Sequence, residues 1–123
     1  MTSGQLTATE VRRRLKLKTL SEPEGEKPVV SGYAGDLLSW VMGRAPANCA
    51  WVTVMNNQNV LAVASLCDVG CVICAEGAEP EETVLEKARA QGINVYASPR
   101  PVFELCAALS RLRGFTAKKG EKP

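Results

Sequence analysis

Apolar positions along this chain gather in short runs divided by polar stretches, and the spacing becomes regular beyond the first quarter. Thr7 to Leu15 predicts a short helix, because "TATE" sets Thr7 as cap with Glu10 three residues on, the capping-box spacing. "KTLS" predicts a short strand. "SEPEGEKP" (21–28) predicts a polar loop, and "VVSG" a second strand. "GDLLSWVMGR" predicts a helix from about Asp36 to Gly43. Three β-rich runs follow: "CAWVTVM", "GCVICA" and "INVYAS". Between them lie "VLAVASLCD", apolar almost all round, and "EETVLEKARAQG", which is amphipathic. Pro80 suits the first turn of the latter and Gly92 its C-terminal cap. "PRPVFELCAALSRLRG" predicts a final helix.

The β runs are continuously apolar and alternate with helices. That pattern predicts an α/β fold, a three-layer α/β/α sandwich whose mostly parallel sheet is covered on both faces. In such sheets ligands bind at the carboxyl ends of the strands. Three loops fall there: "NNQN", "EGAEP" and "SPRP". The chain divides into an N-terminal helix, strand and polar loop (1–30) belonging to the same domain, a core (31–113) and a basic flexible tail (114–123).

The length, 123 residues, fits one domain with a core of its own. A net charge of +2 is too small to imply nucleic acid, and the "RRRLKLK" run reads as a solvated helix face. No run nears the ~18 apolar residues of a membrane span, and no apolar signal segment opens the chain, so a cytoplasmic protein is expected. With no histidine, the commonest general base is missing. Asp36, Asp68, Glu76 and Glu79 are available acids, but no two form a recognisable catalytic pair, so no enzyme is expected.

"CDVGCVIC" sets Cys67, Cys71 and Cys74 at C-x3-C-x2-C, the spacing of some iron–sulfur sites. Cys71 and Cys74 fall in one strand, however, where side chains three apart face opposite sides of the sheet. The three are therefore read as small core residues, and no metal or cofactor is expected. A thiol or iron–sulfur protein remains the lesser alternative. Trp40 and Trp51 read as core or dimer contacts.

"NNQN" offers side-chain amides and the N–H groups of a helix start, with Asn59 as a natural cap. A plain turn and cap accounts for the same residues. The candidate ligand edge comprises Thr53, Asn56, Asn57, Gln58, Glu76, Gly77 and Ser98, with Gly77 permitting close backbone approach. Tyr33, Leu37 and Trp40 form a candidate dimer surface.

The stretch from Ser31 to Leu109 resembles the DRTGG domain. The resemblance is carried by "GDLLS.VM", "N.N..AVASL.D", "EGAEPEE" and "EKA...GI.VY.S....FEL". It implies a fold similar to the N-terminal domain of HPr kinase. That family occurs alone, fused to phosphotransacetylase, or between CBS domains of regulated pyrophosphatases. It implies a non-catalytic regulatory, ligand-sensing or dimerisation module, here a homodimer with an adenine nucleotide or other small polar ligand. An adaptor docking a partner redox complex or kinase is the alternative. The Asp-Arg pair that names the family falls at Asn56-Asn57, and its Thr-Gly-Gly element near Ala75-Glu76-Gly77. Loss of the arginine removes a bidentate phosphate donor.

Overall fold

Each central β run pairs with its neighbour in sequence. The computed structural model describes residues 6–112 and 115. Its elements run α1 (Ala8–Leu15), β1 (Lys18–Ser21), β2 (Ser31–Ala34), α2 (Leu38–Arg44), β3 (Cys49–Thr53), α3 (Asn59–Cys67), β4 (Cys71–Cys74), α4 (Glu82–Ala90), β5 (Val95–Ala97) and α5 (Val102–Ser110). One five-stranded sheet has the order β1-β5-β4-β3-β2. Strands β2 to β5 are parallel, and β1 closes the far edge antiparallel to β5.

Alternation along the strands builds two cores. Cys49 and Trp51, Val72 and Cys74, and Val95 and Ala97 point to one face, where Val41, Val60, Val63, Ala64, Leu85 and Ala88 of α2, α3 and α4 cover them. Ala50 and Val52, Cys71 and Ile73, and Tyr96 point to the other, under Val11 and Leu15 of α1 and Leu105 and Leu109 of α5. Both faces are buried, so the strands carry apolar residues at every position. The expected three layers are present. Stepwise winding from β2 to β5 sends each crossover helix to the same face, and α1 and α5 close the other.

The "VV" of the expected second strand is used differently. Val29 donates its N–H to the Leu6 carbonyl at 2.9 Å, and Thr7 bridges Pro28, so β2 begins only at Ser31. The capping box of α1 forms as its spacing predicts: Glu10 N–H donates to Thr7 Oγ1, and Thr7 N–H to Glu10 Oε1, both at 3.2 Å. α1 is thus seated in the second core, contiguous with the rest. The expected basic tail lies outside the described residues, except Phe115, which packs at the edge of that core.

Candidate functional site

Four helices start at the edge where the parallel strands end, and side chains stitch their loops together. Thr53 Oγ1, at the end of β3, donates to Asp36 Oδ1 at 2.7 Å. The same oxygen accepts the Val54 N–H at 2.9 Å, while Met55 N–H donates to Thr53 Oγ1 at 3.1 Å. Asp36 therefore ties the loop after β2 to the loop after β3. The loops after β4 and β5 are joined by backbone: Glu76 N–H donates to the Arg100 carbonyl at 3.0 Å and Gly77 N–H to that of Ser98 at 3.1 Å. Glu76 Oε2 accepts the Val102 N–H at the start of α5, at 3.4 Å, and Ser98 Oγ accepts the Arg100 N–H at 3.1 Å.

The seven edge residues read from the sequence thus separate into two kinds. Thr53 and Ser98 are buried, and their hydroxyls are engaged within the loops. Glu76 and Gly77 belong to the stitched β4–β5 loops; Gly77 has open space where a side chain would stand. Asn56, Asn57 and Gln58 instead line a hollow of about 360 Å³ together with Glu81, Thr83 and Val84 at the start of α4. Its volume is near the lower end of small-ligand pockets. Asn56 Nδ2 reaches the Glu79 carbonyl at 3.3 Å, which holds one wall to the loop after β4.

The start of α3 departs from expectation. Asn59 is its first helical residue, not its cap. The Asn57 side chain accepts the Asn59 N–H at 2.9 Å, and Gln58 occupies the cap position without a side-chain bond of its own. The next donors close on the same turn: Val60 N–H on the Asn57 carbonyl at 3.1 Å, and Leu61 N–H on that of Gln58 at 3.0 Å. These helix-start N–H groups are used internally. The residues lining the hollow carry three neutral amides, one hydroxyl and the Glu81 carboxylate. Pro80 sits ahead of α4 rather than in its first turn, since Glu81 is extended and takes the cap position.

Sequence reasoning missed Glu81, Thr83 and Asp36 as parts of this edge. The available signal was adjacency. If β3 and β4 pair in parallel, the starts of α3 and α4 lie side by side, and "EETV" faces "NNQN". A larger hollow of about 440 Å³ lies at the opposite, amino edge of the sheet, lined by residues including Glu24, Glu26, Lys27 and Asp68. There α3 and α4 present their carbonyl ends, and Lys27 is already paired with Asp68 at 2.6 Å. The carboxyl edge is where open α/β sheets take ligands, and it is the stronger candidate.

The cysteines divide as strand geometry requires, with Cys74 in the core under α2, α3 and α4 and Cys71 in the core under α1 and α5. Cys67 ends α3 with its thiol 3.6 Å from the Val41 carbonyl. Among the described residues no group of three or more Cys, Asp or Glu is placed to hold a metal ion. Burial pushes the Cys49 and Cys74 thiols up to about 12, with Cys67 adding to the former and Glu79 to the latter; burial raises Cys71 as well. None of the three is poised as a thiolate.

Of the candidate dimer residues, Leu37 and Trp40 are 60% and 56% exposed, with the Arg44 guanidinium 4.1 Å over the Trp40 ring. Tyr33 is half-buried and packs against the first core. Met42, and Leu66 on the neighbouring α3, are also exposed.

This architecture is shared with a solved structure of the CBS and DRTGG domains of the regulatory region of Clostridium perfringens pyrophosphatase, complexed with its activator diadenosine tetraphosphate. The TM-score is 0.64 at 16% identity, over 89% of this chain and 47% of that one. The chain spans about half the length of that neighbour. At this identity the likeness shows a common fold. No family model matches the chain, and no curated protein does. Among the described residues no helix is long and apolar enough to cross a membrane.

Proposed function

We propose that the protein is a non-catalytic regulatory module that senses a small polar ligand, an adenine nucleotide in the first instance, at the hollow between the starts of α3 and α4. The carrying observation is the convergence of Asn56, Asn57, Gln58, Glu81 and Thr83 on one cavity at the carboxyl edge of a parallel sheet. Amides offer both donors and acceptors, as a base edge or a ribose requires. The shared fold of a nucleotide-activated regulatory region supports the ligand class. The non-catalytic part of the reading rests on the carboxylates nearby. Asp36 and Glu76 hold loop backbone, and Glu79 pairs with Lys18 at 3.2 Å.

Thermal unfolding with a panel of adenine nucleotides tests this. Ligand at a hundredfold excess over Kd adds about 2.7 kcal/mol, a rise of roughly 10 °C in Tm for a domain of this size. No shift with any member would end the ligand reading and favour an adaptor. The exposed Leu37, Trp40, Met42 and Leu66 support that second reading, and they also support a homodimer formed on the α2 side. Sedimentation of wild type against Trp40→Glu separates a self-associating surface from one reserved for a partner.

A further inference from the structure

The groove between α3 and α4 is divided by one hydrogen bond. Lys87 Nζ donates to Gln58 Oε1 at 2.6 Å. On one side lies the amide-lined hollow. On the other lies a second, of about 230 Å³, lined by Gln58, Asn59, Leu61, Ala62, Lys87 and Gln91. Gln58 belongs to both walls, so the two hollows are neighbours on either side of this contact.

We infer that this groove takes a phosphate monoester on a hydrogen-bonding body, of the nucleoside monophosphate type. The body would lie against Asn56, Asn57, Glu81 and Thr83, and the phosphate on Lys87 released from Gln58. This rests on the reading of the rim as a ligand site and adds the class of ligand and the residue that selects it. Three observations carry it. The α3 helix start has no N–H to offer an anion, because Asn57 and the Asn57 and Gln58 carbonyls already accept those donors. On the α3 side, an anion in the groove must therefore use a side chain. Lys87 lines the second hollow and reaches the shared Gln58, and among the described residues it forms no ion pair, whereas Lys18, Lys27 and Arg89 each hold a carboxylate. Its present acceptor is a neutral amide, and a phosphate oxygen replaces that with a charge-assisted bond. Finally, the charge is limited. One carboxylate, Glu81, and one ammonium line the two hollows, and Glu76, Glu79 and Glu82 stand on the same loop and helix start. A single phosphate matches Lys87; a polyphosphate brings further negative charge to an edge already rich in carboxylates.

Calorimetric titration of the full chain with AMP, adenosine and ATP tests the assignment. AMP is expected to bind about tenfold more tightly than adenosine, as one exposed charge-assisted contact provides, and more tightly than ATP. Lys87→Gln should bring AMP down to the adenosine level while leaving adenosine unchanged. Gln58→Glu, which gives the ammonium a carboxylate of its own, should lower the ratio of AMP to adenosine affinity, whatever it does to adenosine itself. Lys18→Gln, a rim lysine outside the groove, should leave AMP within about twofold. ATP binding as tightly as AMP, or an AMP preference that survives Lys87→Gln, would overturn the monophosphate assignment and leave the rim reading standing. Binding of none of the three would overturn both.

Discussion

Replacing Asp36 with alanine removes one oxygen that organises two loops. Its Oδ1 accepts from Thr53 Oγ1 at 2.7 Å and from Val54 N–H at 2.9 Å. The two losses are unequal. Val54 N–H lies where water can replace the carboxylate, so that bond contributes no more than about 1 kcal/mol. Thr53 is 0% exposed, and its hydroxyl would be left to donate to nothing; a stranded buried donor costs about 1–3 kcal/mol. Together they set a destabilisation of roughly 2 kcal/mol, read as a lowered urea midpoint at unchanged slope. Asp36→Asn keeps an acceptor in place and should cost well under half as much. In a Thr53→Val background the hydroxyl is already absent, so Asp36→Ala should cost about 1 kcal/mol less than in wild type. A double-mutant cycle measures that coupling. Strict additivity, or an Asp36→Ala cost below about 0.5 kcal/mol, would refute the claim that this carboxylate ties the β2 and β3 loops and so fixes the wall formed by Asn56 to Gln58.

Gly70→Ala should be among the most damaging small substitutions. A methyl there would stand 2.6 Å from the Pro28 carbonyl oxygen and 2.8 Å from Val29 Cγ2, and the backbone atom cannot yield. A loss of about 1–3 kcal/mol is expected in chemical denaturation. Tyr96→Phe should be neutral or stabilising by up to about 1 kcal/mol. The Tyr96 hydroxyl is buried without a hydrogen-bond partner among the described residues, the Arg12 guanidinium lying near it but outside bonding geometry. Stability should fall as pH rises from about 9 to about 12. Unfolded thiols ionise near 9, whereas native Cys49 and Cys74 hold their protons to about 12, so the native state binds more protons across that window. Each thiol contributes a slope of roughly 1 kcal/mol per pH unit, and Cys74→Ala should make the decline shallower in pH-dependent denaturation.

The elements and the two-faced sheet were legible in the sequence because they depend on periodicity. Continuous apolar runs mark strands covered on both sides, and the x-x-C spacing of Cys71 and Cys74 already places their sulfurs in different layers. The capping box at Thr7 and Glu10 is equally local. The boundaries that moved did so because distant groups compete for backbone. Val29 pairs with Leu6 instead of opening β2, and Asn57 rather than Asn59 closes the first turn of α3.

The candidate site was only half legible. Chain order exposes "NNQN" as a strand-end loop. It does not say that Thr53 and Ser98 turn inward, that Asp36 reaches across from the preceding loop, or that Glu81 and Thr83 supply the facing wall. Those facts depend on which strands are neighbours. The sequence by itself determined what each segment could be, since helix and strand preferences act over a few residues. Tertiary structure alone decided which loops share a cavity and which polar groups remain free to meet a ligand. Strand order brings residues 20 or more positions apart into contact, and hydrogen bonds between loops consume donors that each loop taken alone would leave open.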